Sequence, residues 1–418
     1  MASRSKESCF ALVSFLLLLT GGRTSAQVLL KPTQPGEPVM LMPSDATILD
    51  AGQERRDLPC TVSQRKPDLG FDLRFHAGFD VIIPMDELVG EGQLLTVVFR
   101  VTPTDASIKN PTPANFVQHF TVPPISEDAK GDASLTGVID LGEGNYHVDW
   151  LMRDHEERVC SSSWDISASL SAKDKPIPLF LSRDRVEQAQ PEPFFNEPAG
   201  ATPRSKEDNL NVKLLVNFAP QNSVSASLQR SDTDALVSIL KAIQRDPRVA
   251  HVSLVAFNMS EGQVLYRQES GDEIDFPALG KALRQMKLGT VNVQKLGQKH
   301  SETEFLESLI SKEVAPSEHT DAVIFAGPKA MLDANVPQED LRRIGDVECP
   351  VFYMNYTLDP TATPWKDSIS HAIRSFKGTE YTISRPRDLW FSTVEMFGRI
   401  VRWKRERAIS ALATGGSH

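Results

Sequence analysis

The spacing of apolar positions changes character along the chain, and each change marks a segment. A run from Phe10 to Leu19 (FALVSFLLLL) is continuously apolar. Residues 27–70 are Pro-rich and irregular, with one short apolar stretch at Val39–Met42, and read as an extended lead-in. From Phe71 the pattern becomes short β-type runs separated by turn residues: 71–83, 94–102, 117–123, 134–141, 144–153 and 159–170. No stretch between them has a helical period long enough for a crossover, so 71–182 is predicted to be an antiparallel β-sandwich. Tyr146, Val148 and Trp150 alternate with Asn145, His147 and Asp149, which predicts a strand with one wet face. Residues 183–210, with Pro191, Pro193, Pro198 and Pro203 among polar neighbours, read as a linker that Phe194 and Phe195 pin to one neighbour. From Leu210 strands alternate with helices. Strand 212–218 is followed by Ala235, Leu236, Ile239, Leu240 and Ile243 at helical spacing, with Ser231 and Asp234 as the cap signal. Strands 251–257 and 264–268, a helix opening at Asp275, a helix carrying Phe305, Leu306, Leu309 and Ile310, and strand 321–326 come next. A short helix near Leu341, strand 350–355, helix 366–376, strand 379–383 and helix 387–404 complete a doubly wound α/β domain over 211–405. Its early hairpin supplies an antiparallel edge, and 406–418 reads as a flexible tail.

Composition narrows the partners. The 418 residues carry 45 basic and 55 acidic side chains, a net charge of −10. An acidic surface does not displace counterions from nucleic acid or anionic lipid, so neither is expected as main partner. Arg4 and Lys6 before the apolar run, and Thr24-Ser25-Ala26 after it, have the order of an export signal cleaved after Ala26. Cys9 has no lipobox around it and belongs to that leader. Cleavage removes Arg4, Lys6 and Arg23 against Glu7, taking the net charge to −12. The run is shorter than the roughly 20 residues a spanning helix needs, so a secreted or periplasmic chain without a transmembrane segment is expected. Of the three remaining cysteines, Cys60 and Cys160 are paired in this reading, with Cys349 a buried thiol beside an apolar strand; three buried thiols is the alternative.

Gly144-Asn145-Tyr146 followed by an alternating strand resembles the late strands of immunoglobulin-like domains, where a tyrosine near a strand start bonds back to the preceding loop. The order of elements after residue 211 and the tail GTEYTISRPRDLWFSTVEMFGRI (378–400) resemble a von Willebrand factor A (VWA) domain. Together with the export signal, LRFHAGF, GNYHVDWLMRDHEERVC, DAVIFAGPKA and CPVFYMNY, the whole is similar to secreted bacterial VWFA-related proteins of the acidobacterial type. That resemblance implies a divalent cation at the strand crest, held by Asp-x-Ser-x-Ser, a Thr and an Asp. Here the first motif reads Asn217, Ala219, Gln221, the last Asp gives way to Gly327-Pro328, and Thr303 alone matches, in a position where a cap is the plainer role. Without carboxylates a small hard cation is not dehydrated favourably, so no metal and no cofactor are expected.

Other constellations are weak. Asp149, Asp154, His155, Glu156 and Glu157 lack the spacing of a Ca²⁺ loop, and His155-Glu156 lacks the second His of a zinc protease. Neither a Gly-x-Ser-x-Gly elbow nor a Walker loop occurs. Asn258-Met259-Ser260 and Asn355-Tyr356-Thr357 fit the glycosylation sequon at strand ends. The basic run Arg399, Arg402, Lys404, Arg405, Arg407 is expected in a helix's last turns, where it complements the dipole. The reading is a non-enzymatic exported binding or adhesion protein. Its protein or envelope ligand would meet the crest at Asn217, Ala219, Gln221, Thr303, Gly327, Lys329 and Asn355. An envelope assembly factor is the alternative, and a hydrolase with an interdomain site a third.

Overall fold

A computed structural model describes residues 28–30, 41–105, 111–189, 193–196, 209–221, 228–285, 300–314, 320–344, 347–359, 361 and 364–415. Residues 1–26, read from the sequence as an export leader, lie outside them. The described residues form two compact units, one up to Asp68 with His76–Ser169 and Arg183–Ala189, the other holding Leu69–Phe75, Leu170–Ser182 and the chain from Gln190 on.

The first unit contains two sheets. One is ordered β1 (Val28–Leu30), β6 (Asp132–Leu141), β3 (Phe75–Pro84), β2 (Thr61–Leu69), with β9 (Val186–Gln188) also on β6. The other is ordered β5 (Ala114–Val122), β4 (Gln93–Pro103), β7 (Gly144–Arg153), β8 (Val159–Ala168), antiparallel throughout. The sheets meet through Phe79 of β3, whose ring centroid lies 5.5 Å from both Phe99 of β4 and Trp150 of β7. Beside it, Gly137 of β6 has no side chain for a physical reason: a β carbon there would fall 2.2 Å from the Phe79 ring. The Tyr146 hydroxyl, buried and with its pKa pushed up by that burial, donates to the Gly142 carbonyl at 2.8 Å.

Two expectations need correction here. Residues 27–70 are not simply extended, because α1 (Pro43–Ala51) and β2 lie among them. Leu49 of α1 packs with Val98, Leu151 and Val159, so the outer face of β4 and β7 is dry at that point instead of wet throughout. Cys60 is joined to Cys160 with Cα atoms 6.3 Å apart, and the Ser161 amide donates to the Arg55 carbonyl, which fastens the lead-in along β8. Within the predicted linker, β9 is a paired strand.

The second unit is a six-stranded sheet ordered β12 (Gln263–Gly271), β11 (Val249–Asn258), β10 (Leu210–Asn217), β13 (Ala322–Gly327), β14 (Val351–Tyr356), β15 (Thr379–Ile383). All neighbours are parallel except the β11–β12 hairpin edge. Parallel central strands are buried on both faces, which is why β13 (AVIFAG) and β14 (VFYMNY) read as unbroken apolar runs. One face carries α2 (Arg230–Gln244), α3 (Phe276–Arg284) and α7 (Pro386–Gly415), with Leu214, Val216, Leu236, Leu240, Leu279 and Phe397 in one cluster. The other carries α4 (Ser301–Glu313), α5 (Gln338–Arg343) and α6 (Ser368–Ser375), with Leu215, Phe257, Leu306, Phe325, Tyr353 and Ile373 in a second.

Helix ends follow local chemistry. Asp275 caps α3 by accepting from the Ala278 amide at 2.9 Å. The cap of α2 is Gln229, with Asp232 returning the bond to the Gln229 amide, not Ser231 or Asp234 as the spacing suggested. Phe194 and Phe195 are pinned as expected: Phe194 fills the space over Gly280, and the Lys241 ammonium lies 3.6 Å from the Phe195 centroid. The last helix runs past 404 to Gly415, so the predicted tail is helical over most of its length and the basic run sits mid-helix. There its charges meet side chains instead of a helix terminus, with Arg399–Glu395 at 2.7 Å, Lys404–Asp321 at 2.8 Å and Arg407–Glu348 at 2.8 Å. No helix among the described residues is long and apolar enough to cross a membrane.

Candidate functional site

The strand order reverses between β10 and β13, because the chain winds outward from β10 in both directions. Loops leave the sheet on opposite faces there and open a crest at the carboxyl ends of the strands. Asn217 ends β10, Gly327 ends β13, and Asn355 lies near the end of β14 in register with Gly327. Gly327 has φ +149°, and a β carbon on it would lie 2.7 Å from the Asn217 Cβ. The crossing therefore requires glycine on two counts, backbone conformation and space.

Each neighbouring side chain is committed. The Asn217 Oδ1 accepts from the Met259 amide at 2.9 Å, while its buried Nδ2 has no partner among the described residues. Asn355, fully buried, donates from Nδ2 to Glu380 Oε1 at 2.6 Å, and its Oδ1 is likewise without a partner among the described residues. Gln221 bridges to the loop after β14, donating to the Asp359 carbonyl at 2.6 Å and accepting from the Leu358 amide at 2.9 Å. Ala219 is buried and Lys329 half-exposed. Thr303 is not a cap: it is the third residue of α4, and its hydroxyl donates to the Ala334 carbonyl at 2.8 Å. The structure thus brings Asn217, Gly327 and Asn355 into one row across three strands, links Gln221 to the adjoining loop, and turns the Thr303 hydroxyl to a backbone acceptor.

A divalent cation of the kind the resemblance implies does not suit these residues. Its first ligand position is a neutral amide whose oxygen already accepts from a backbone N–H, its last is a glycine, and the threonine hydroxyl is oriented toward the Ala334 carbonyl. No carboxylate stands in the row to offset the dehydration of a small dication.

Beneath the crest lies a group of residues that the sequence did not single out. Asp367 caps α6, accepting at Oδ1 from the Ile369 amide (3.1 Å) and from the Ala330 amide of the loop after β13 (3.3 Å). Burial raises its pKa to about 6, Glu380 adding to the effect while backbone N–H groups oppose it. Glu380 also accepts from Ser370 Oγ at 2.6 Å, and the Tyr353 hydroxyl donates to the Pro328 carbonyl at 3.0 Å. Asp232, raised by burial, lies beside the buried Tyr356 hydroxyl. The loops after β13 and β14 are stitched together by the Ser368 amide donating to Ala330 O at 2.8 Å. They turn Met331 (52% exposed) and Trp365 (79%) to solvent. An Asp before SISHAIR is a legible cap; the contacts of Glu380 and the exposure of Trp365 have no local signal, since both depend on which loops meet.

Elsewhere the bland readings hold. Asp154 is buried, accepting from the Glu156 and Arg158 amides at 2.9 Å and pairing with the Arg158 guanidinium, so it anchors the turn. Asn258 and Asn355 are 1% and 0% exposed, which closes both sequons to modification in the folded chain. Cys349 is half-buried, and burial pushes its thiol up to about 11, away from reactivity.

No protein-family model matches the chain, and no curated protein does. Among solved structures, the conserved hypothetical protein BatB from Bacteroides thetaiotaomicron is 10% identical, covering 46% of this chain and 100% of that one, at a TM-score of 0.31. The PilB minor pilin from Streptococcus sanguinis is 8% identical over 72% of this chain and 87% of that one, at 0.28. Proximal thread matrix protein 1 from the mussel byssus is 9% identical over 48% and 49%, at 0.28. Likeness at this level leaves function to be read from the residues themselves.

Proposed function

We propose that the chain is an exported, non-enzymatic binding or adhesion protein, in which a VWA-like unit without its metal site takes a protein or envelope ligand at the crest. The observation that carries this is the pair of exposed apolar side chains, Trp365 and Met331, on two stitched loops beside the Asn217–Gly327–Asn355 row. Large apolar groups turned to solvent at a switch point are what a docking surface requires, and aromatic anchors dominate such interfaces. Contacts would be apolar burial and hydrogen bonds, with no shared cation. The first unit is an immunoglobulin-like sandwich in this proposal, supported by the Tyr146 to Gly142 bond and by a five-stranded and a four-stranded sheet joined through Phe79. Export is supported by the leader pattern and by the Cys60–Cys160 bond.

The test is capture from an envelope or matrix extract by the mature chain, with and without EDTA, beside a broad esterase, protease and glycosidase screen. Capture is expected to survive EDTA and to weaken roughly ten- to a hundredfold on Trp365→Ala, as for an interface anchor. Turnover abolished by changing one residue, or capture that EDTA removes, contradicts the proposal.

A further inference from the structure

The last helix buries Leu389, Met396, Phe397 and Ile400 against the sheet and turns a second apolar stripe outward. Phe391 is 42% exposed, Val394 43% and Ile409 67%. At 3.6 residues per turn they share a sector about 80° wide with Gly398, Arg402 and Arg405. A β carbon at Gly398 would meet nothing within 4 Å among the described residues, so the outer surface is lowest in the middle of the stripe, where a second helix approaches most closely. Charge is unequally spread along α7. Asp388 and Glu395 lie before Gly398, while Arg399, Arg402, Lys404, Arg405 and Arg407 lie after it, with Glu406 the one acid among them. Arg387, on the early half, is engaged with Asp174 at 3.7 Å and lies over the Phe391 ring.

We propose that this stripe is the interface of a homodimer in which α7 of one copy crosses α7 of another antiparallel, centred on Gly398. The charge distribution selects the occupant and its direction. In an antiparallel crossing, a residue a given distance after Gly398 lies over one the same distance before it. Arg405 then covers the face of Phe391 in the second copy, a cation on an aromatic ring. Arg402 reaches Val394 and Glu395 of the second copy, and by two-fold symmetry each of these contacts occurs twice. A parallel pairing would set the basic half against itself. One helix pair is a small interface, at the low end for specific complexes, so association is expected on the order of tens of micromolar. Pairing would give one particle two crests, and hence a gain in avidity on a ligand array.

Sedimentation of the mature chain from about 1 to about 200 µM tests this, a range that brackets the expected affinity. A concentration-dependent monomer–dimer equilibrium is expected. Glu395→Arg and Arg402→Glu should each weaken it about tenfold, and the two together should restore it, since the swap rebuilds the cross-helix pair. Gly398→Leu should abolish association without lowering the melting temperature, because the site is open and leucine favours a helix more than glycine does. A chain that stays monomeric throughout overturns the proposal. So does a dimer indifferent to all these changes, or a doubly exchanged variant that fails to recover. So does a monomeric chain that instead uses this stripe to bind anionic vesicles.

Discussion

Asp367 is the residue at which burial and function meet most closely. Its carboxylate holds the first turn of α6 and the loop after β13 through the Ile369 and Ala330 amides, yet its surroundings favour the protonated form. With a folded pKa of about 6 against an ordinary value of 3.8, the native state binds the proton more tightly than the unfolded chain between those limits. This group's contribution to stability therefore rises as pH falls from 7 to about 4 and is fully present below that; ionisation withdraws it as pH rises through 6. Asp367→Asn keeps a capping oxygen and removes the charge. Thermal unfolding at neutral pH should show the variant more stable by about 2 kcal/mol, with a flatter profile between pH 4 and 6. A lower melting temperature at pH 7 would mean that the negative charge is what secures the loop. At Gly327 the expectation is opposite in sign. Alanine there combines a positive φ with a contact against Asn217, and should cost about 1–3 kcal/mol in denaturant unfolding of the second unit.

At the scale of elements, Phe79 and the Cys60–Cys160 bond secure the first unit by different means. Phe79→Ala removes the ring that meets Phe99 and Trp150 and leaves a cavity over Gly137, so a loss of about 3–5 kcal/mol is expected. Reducing the disulfide releases a closed loop spanning 100 residues, worth about 4–5 kcal/mol by the chain-entropy model. Near-ultraviolet dichroism with and without reductant should show the first unit's transition moving down while the second unit's holds. The elements themselves were largely legible. The stretches 144–153 and 379–383 coincide with β7 and β15 because alternation and flanking turn residues bound them on both sides. What escaped were α1 and β9. Pro43 obscured a helix that begins on it, and β9 spans three residues whose strand character comes from pairing with β6. The row of Asn217, Gly327 and Asn355 could be named from strand ends. The Thr303 bond to Ala334 and the Asp367–Glu380 group could not, because loop pairing decides which polar atoms are taken.

For the whole molecule, the acidic balance and the cation question separate. A chain at −10, and at −12 once a leader is removed, attracts cations generally, yet attraction is not a site. Binding a small dication needs fixed oxygen donors with charge, and the crest row offers neutral amides and a glycine in their place. The account as a whole depends on that crest working by contact instead of coordination. Calorimetric titration of the mature chain with Mn²⁺, beside the Asn217→Ala variant, tests it most directly. No saturable micromolar isotherm that distinguishes the two proteins is expected. A micromolar site present in the native chain and lost on Asn217→Ala would contradict it.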